Sequence, residues 1–248
     1  RLRDFYDSKI GKSTMESANL ITCVSKHEKE MLVKEIGISD ENIKIIYNGI
    51  DWSLWEDLPE KGVFRGVYPQ VSEKFVLFAG RLATNKGITD LIDAMSMIDL
   101  KDIDLVLMGA DMGLGKDLDN LAVSKKIRMH RIGHVSDEIY RSALSCAEIL
   151  VLPSEYEAFG IVLLEAAAAS TAVIGSRVGG IPEAMSEGKN GLIVDYNKPD
   201  DLSKSILHLL NDDSLRQQMG VFGRNFSEGF SWSKIITELE KEYEKLLA

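Results

Sequence analysis

Between residues 75 and 195 the chain alternates short, almost wholly apolar runs with stretches whose apolar positions recur at helical spacing. The runs cover 75–79, 105–108, 127–132, 149–152, 172–174 and 192–194. They do not alternate polar with apolar, so they predict strands covered on both faces. The intervening stretches predict helices over 88–98, 114–124, 137–147, 161–170 and 182–187. Such an alternation predicts an α/β fold, a doubly wound, Rossmann-like parallel sheet of six strands. Beyond residue 198 only helical periodicity remains, over 199–211, 214–228 and 232–247. In the last of these, Ile235, Ile236, Leu239, Tyr243 and Leu246 fall at helical spacing.

Upstream, 4–17 and 26–35 read as helices and 20–24 and 43–46 as strands. A fragment of that size cannot bury a core of its own, so it reads as the tail of a preceding, partial Rossmann-like domain. Residues 57–73 carry Pro59, Gly62, Gly66 and Pro69 and read as a linker. The predicted organisation is a remnant over 1–56, a linker over 57–73, a ligand-binding domain over 74–230 and a final helix over 231–248.

Composition narrows the partners. With 45% hydrophobic and 27% charged residues in 248, the chain falls in the ordinary globular class. A net charge of −10 argues against nucleic acid and weakly against anionic membrane surfaces. The two cysteines, Cys23 and Cys146, sit in apolar surroundings, as expected of buried thiols in a reducing compartment. No zinc-ligand spacing, leader peptide or membrane-length apolar run is legible. The expected location is the cytoplasm, with a station at the inner face of a membrane left open. The first residue is Arg1 rather than Met, and the expectation is a piece of a longer protein.

Ligands of doubly wound sheets gather outside the carboxyl ends of the strands. Gly80-Arg81, Gly109-Ala110, Gly133-His134 and Pro153-Ser154 each follow a predicted strand and should line that edge. Arg81 and Lys86, in the loop before a helix, make a candidate diphosphate clamp; the alternative is a solvated pair of loop charges. The segment from Pro153 to Gly160 runs into a helix carrying Glu165. A helix N-terminus suits a phosphate. Glu157 and Glu165 would repel one and are better suited to hydroxyls. If the span were helical, these carboxylates would lie about 12 Å apart, at ~1.5 Å per residue. That matches the reach from a hexose across a diphosphate to a ribose, so the ligand read from the residues is a nucleotide sugar. Gly160 would permit close backbone approach and Phe159 would supply apolar cover. The alternative is that Glu165 braces its helix and Glu157 is merely exposed.

Other features are weaker. Gly179-Gly180-Ile181-Pro182-Glu183 reads equally well as a tight turn at a helix start and as a ligand loop. Gly109 to Gly115 is glycine-rich but lacks the spacing of a dinucleotide fingerprint. Asp102-Ile103-Asp104 has the shape used by metal-dependent sugar transferases but precedes its strand, at the wrong end of the sheet. Of His27, His130, His134 and His208, only His134 follows a strand at the expected edge. Trp52, Trp55 and Trp232 are expected to pack a seam between domains.

Asn48-Gly49-Ile50-Asp51, Gly80-Arg81 with Lys86-Gly87, Pro153-Ser154 with Glu157 and Glu165, and Gly180-Ile181-Pro182-Glu183 occur in that order. The set resembles the retaining glycosyltransferases of family 4, which have the two-domain GT-B architecture, over roughly residues 17–247. The resemblance implies that Arg81 and Lys86 hold the donor diphosphate and stabilise the leaving group, and that Glu157 meets the donor sugar. It implies backbone contacts at Gly80, Ala158, Phe159, Gly160 and Ile161, ribose binding by Glu165, and a base facing Arg131, Ile132 and Gly133. It further implies sugar transfer with retention from a nucleoside-diphosphate donor, no cofactor and no metal, and a final helix that crosses back to the N-terminal domain. Most of that acceptor domain is missing, so this chain is expected to be mainly the donor-binding half. The acceptor, whether glycan, lipid or small molecule, and the donor base are not legible, and any membrane contact would run through the missing domain. The competing readings are a non-catalytic nucleotide-sugar binding module and a nucleotide-sugar epimerase on the same fold.

Overall fold

The structure, a computed structural model, describes residues 11–99 and 102–247. The helix predicted over 4–17 lies largely outside them; its described part is α1 (Lys12–Glu16). Then come β1 (Ile21–Cys23), α2 (Lys26–Met31) with a π-helical extension over Leu32–Ile36, and β2 (Ile43–Ile45). The two strands pair in parallel, Ile21 opposite Ile43. Their core is small: Cys23, Ile38 and Ile43 are its buried apolar residues among those described. Two short helices follow, α3 (Ser53–Glu56) and α4 (Lys61–Val67).

The main body alternates as predicted: β3 (Lys74–Ala79), α5 (Ile88–Ser96), β4 (Ile103–Met108), α6 (Gly115–Ser124), β5 (Met129–Ile132), α7 (Asp137–Cys146) and β6 (Ile149–Leu152). It continues through α8 (Ile161–Ala168), β7 (Ala172–Ser176), α9 (Ile181–Ala184) and β8 (Gly191–Val194). Three helices close the chain: α10 (Pro199–Leu210), α11 (Asp213–Glu228) and α12 (Trp232–Leu247). The six strands form one parallel sheet in the order β5-β4-β3-β6-β7-β8. Every residue of β4, β6 and β7 is buried, which is why these runs carry no polar alternation.

The strand order places the site. From β3 the chain winds outward to β5, then returns to lay β6 against the other side of β3. The loops leaving β3 and β6 therefore diverge at a switch point, where doubly wound sheets open a crevice. The register aligns the edge: Ala79 pairs with Met108 and Leu77 with Leu150, so Gly80, Gly109 and Pro153 emerge on one side.

Residues 57–73 do not behave as the predicted linker. Phe64 of α4 is fully buried and packs its ring 5.3 Å from those of Phe75 and Tyr68. Ser142 of α7 clamps this helix, accepting from the Phe64 amide at 3.0 Å and donating to the Glu60 carbonyl at 2.8 Å. Pro59 precedes the helix, and Gly62 and Gly66 sit where a side chain would meet nothing within 4 Å. These punctuators lie outside the packed face, so their sequence signal was misleading. Two further boundaries shift: β5 starts only at Met129, after Lys126 takes a left-handed conformation, and the helix predicted over 182–187 is one turn, α9.

The start of α12 meets the segment that follows β2. Ile50 bridges to Ser231, and a groove between α12 and β2 is lined by Lys44, Ile46, Glu238 and Lys241. Of the apolar stripe on α12, Ile235 is buried while Ile236, Tyr243 and Leu246 are exposed. No helix among the described residues is long and apolar enough to cross a membrane. Phe64→Ala should cost about 3–5 kcal/mol of stability in urea unfolding; a flexible linker at this position predicts no measurable loss.

Candidate functional site

Two loops at the switch point are joined to each other. The β3 loop passes through Gly80 and Arg81 into a 3₁₀ turn, Thr84–Lys86, before α5; the β6 loop runs from Pro153 to Gly160 before α8. The Glu155 amide donates to the Asn85 carbonyl at 3.0 Å. Gly87 has φ +62, and a Cβ there would lie 1.9 Å from the Pro153 carbonyl oxygen. Only glycine allows this approach. It brings Lys86 Nζ to 2.5 Å from Glu157 Oε2, with the two side chains 13% and 21% exposed.

A third loop braces Glu157 from behind. Gly179, at φ +51, leaves no room for a Cβ, which would sit 1.8 Å from the Glu157 carbonyl oxygen. The Gly180 amide donates to that same oxygen at 3.0 Å. Glu183 accepts from the Lys26 amide at 2.8 Å and from the Tyr47 hydroxyl at 3.0 Å. Burial and the Glu183 carboxylate push the Tyr47 phenol up to about 12. The Gly179–Glu183 loop is thus a bracket that holds the Glu157 backbone and fastens the N-terminal fragment.

A cavity of about 280 Å³ lies where these loops meet. Of the predicted site residues it gathers Gly80, Arg81, Lys86, Glu157, Ala158, Phe159, Gly160 and Ile161, and it adds Asn48 from the N-terminal fragment. Arg81 stands apart electrostatically. Its guanidinium has no partner among the described residues, whereas Arg65, Arg128, Arg131, Arg141, Arg177, Arg216 and Arg224 each have one. In a chain of net charge −10, an exposed, unpaired arginine beside a shielded lysine makes this cavity a place where an anion is favoured.

An adjoining cavity of about 350 Å³ shares Ala79, Gly80 and Val162 with the first. It holds Gly133, His134, Asp137, Tyr140 and Glu165. The Tyr140 hydroxyl donates to Glu165 Oε2 at 2.6 Å. Burial raises the Glu165 carboxyl above its ordinary range, opposed by the Tyr140 hydrogen bond and helped by the charge of Asp137. Burial, then the Glu165 charge, raises Tyr140 well above the usual phenol range. Tyr140 is a cavity residue that sequence reasoning missed. It is one polar position on a predicted helix, and nothing in the sequence pairs it with a carboxylate 25 positions away.

Several expectations change. The 12 Å estimate assumed a helix from Glu157 to Glu165, but α8 starts at Ile161, after Gly160 turns left-handed (φ 96°). Glu157 therefore sits on a loop that folds back to Lys86. Arg131 and Ile132 are strand residues and line neither cavity. The Arg131 guanidinium is held by Asp119 at 2.9 Å and Asp111 at 3.4 Å, carboxylates whose approach the sequence does not show. Ile132 is buried, and Gly133 alone of that predicted trio reaches a cavity. The Phe159 ring stacks on Tyr47 at 5.5 Å and tilts against Phe230 at 5.9 Å, so it belongs chiefly to the seam with the N-terminal fragment. Trp55 is buried, and Trp52 lies under Arg224, at 5.3 Å. Asp104, at the opposite edge, is taken up by Arg128 and His130, each at 2.8 Å, and by the Ser72 amide at 2.8 Å.

Fold and cavity together define a GT-B-type α/β protein with an anion-favouring crevice at its switch point. The chain belongs to the family described as glycosyl transferases group 1, whose sequence model matches residues 64–226; the model for glycosyltransferase family 4 matches residues 1–54. It is 35% identical over 240 residues to an uncharacterised glycosyltransferase of Methanocaldococcus jannaschii, covering 95% of this chain and 62% of that protein. It is 28% identical to the alpha-maltose-1-phosphate synthase of Mycolicibacterium smegmatis, covering 96% of this chain and 66% of the relative. Among solved structures, sucrose-phosphate synthase from Thermosynechococcus elongatus superposes with a TM-score of 0.85 at 26% identity, over 96% of this chain and 61% of that one. The chain thus spans roughly three-fifths of the length of the first of these relatives.

The raised Glu165 carboxyl has a consequence for stability. A carboxyl whose folded pKa exceeds its unfolded value, 4.5 here, binds protons more tightly in the fold. The fold is then weakened as pH rises from that value through the folded pKa. Glu165→Gln should stabilise the chain at pH 7, with the gain vanishing by pH 4. Urea unfolding at both pH values checks this, and an equal gain at both would contradict it.

Proposed function

We propose that this chain is the donor-binding half of a retaining glycosyltransferase that moves a hexose from a nucleoside diphosphate to an acceptor. The observation that carries the reading is the unpaired Arg81 guanidinium sharing one cavity with the Lys86–Glu157 pair at the start of α8. Cleavage of the bond between the anomeric carbon and the diphosphate oxygen leaves its electron pair on the phosphate. Arg81 and Lys86 stabilise that growing charge, and the amides at the start of α8 add partial positive charge. These fixed charges neutralise the leaving group without a metal or cofactor. Glu157 releases Lys86 to the diphosphate and accepts hydrogen bonds from sugar hydroxyls. The adjoining cavity takes the nucleoside, with Glu165 accepting from the ribose hydroxyls and Gly133 beside the base. The acceptor hydroxyl reaches the anomeric carbon from the part of the protein beyond this chain, as does any contact with a membrane face in the cytoplasm.

Calorimetry of the chain against UDP-glucose, GDP-mannose and ADP-glucose tests the reading, and binding of none of them would end it. In the full-length protein, Arg81→Ala should lower turnover roughly 10²–10³-fold, with little change in melting temperature, because the guanidinium has no partner among the described residues. Turnover should also survive a metal chelator. Product formed without any acceptor would indicate an isomerase instead.

A further inference from the structure

Asn48 also lines the cavity of Arg81, Lys86 and Glu157, on the segment that joins the N-terminal fragment to the main body. Its side-chain amide makes no hydrogen bond to any described residue. Asparagine in an ordinary loop tends to bond its own backbone and form a local turn. Here that does not happen, although the segment is tightly held on both flanks. On one flank, Tyr47 is bonded to Glu183 at 3.0 Å and stacked on Phe159 at 5.5 Å. On the other, the Ile50 amide donates to the Phe230 carbonyl at 2.8 Å, and the Trp232 amide donates to the Ile50 carbonyl at 3.0 Å. The backbone is fixed while the amide has no partner among the described residues, in a cavity lined by an arginine that has none either.

We propose that Asn48 is a third arm of the diphosphate site, its side-chain NH₂ donating to a phosphate oxygen alongside Arg81 and Lys86. The assignment rests on the donor reading above. A neutral donor pre-positioned toward an anion forms a charge-assisted hydrogen bond at little ordering cost. Asn48 lies in the part of the chain matched by the family 4 model, whereas Arg81 and Lys86 lie in the part matched by the group 1 model. One phosphate held by all three side chains would therefore pin the two parts to each other, making the joining segment itself part of the donor site.

The test is calorimetric titration of the chain and its variants with UDP, GDP and ADP, and with the sugar conjugate of whichever binds. Asn48→Ala should weaken diphosphate binding by roughly tenfold to a hundredfold, the span of a charged hydrogen bond. Asn48→Asp, of the same shape but anionic, should weaken it further. Both factors should be the same with and without the sugar, and the ligand-free melting temperatures should stay at the unaltered value. Lys86→Ala is the control for the donor reading. Loss on Lys86→Ala with unchanged affinity in both Asn48 variants overturns the Asn48 assignment and leaves the donor reading standing. A loss confined to the sugar conjugate also overturns it, because the amide then serves the sugar. Failure of the unaltered chain to bind any of the nucleotides, or indifference to Lys86→Ala, overturns the donor reading and this assignment with it.

Discussion

The approach of the β3 loop to the β6 loop is the constraint on which the site depends. It is set by the absence of one atom: the Pro153 carbonyl occupies the place where a side chain on Gly87 would begin. That approach brings a lysine and a glutamate from sequence positions 71 apart to 2.5 Å, in surroundings that shield both from solvent. A shielded pair of this kind is a weak source of net stability, since desolvation offsets much of the attraction. Its value lies in poise. Each partner is held in place at the lining of the cavity, as the proposed donor site requires.

The same economy governs the second cavity. Burying Glu165 costs free energy that the Tyr140 hydroxyl only partly returns, so the carboxyl stays easier to protonate than one in water. Folded proteins tolerate such penalties where a ligand later supplies the missing hydrogen bonds, and perturbed carboxyls in clefts are for this reason markers of function. Arg81 shows the complementary case of a charge kept free. The fold gives every other described arginine a partner and leaves this one at the mouth of the crevice.

The described part of the N-terminal fragment has Cys23, Ile38 and Ile43 as its buried core, and it is anchored to the site's own scaffolding. Phe159 lines the cavity and Glu183 stands on α9 behind the Glu157 backbone, and both bind Tyr47 of the fragment. The junction and the binding crevice therefore share residues. A shift of the fragment would be felt by the loop that carries Glu157, because the Gly180 amide holds the Glu157 carbonyl.

Much of this protein was legible from its sequence. Unbroken apolar runs can only be strands covered on both sides, so the six-stranded parallel sheet and its ligand-bearing edge followed from the pattern. Arg81, Lys86 and Glu157 are read from loops that follow buried strands and Glu165 from the helix after one of them, and the fold brings the first three to one cavity and Glu165 to its neighbour. Tertiary structure alone decided who meets whom. Arg131 and Arg81 look alike in the sequence, each a cation at the end of a strand. Yet Asp111 and Asp119 neutralise one, and nothing described neutralises the other. Gly62 and Gly66 look like linker glycines, and only packing shows that they lie on the open side of a docked helix. Tyr140 became visible only when distant segments closed on Glu165, and Asn48, legible as part of a motif, gained its place beside Lys86 only in the fold, since periodicity reports which side of an element is buried and carries no information about its partner.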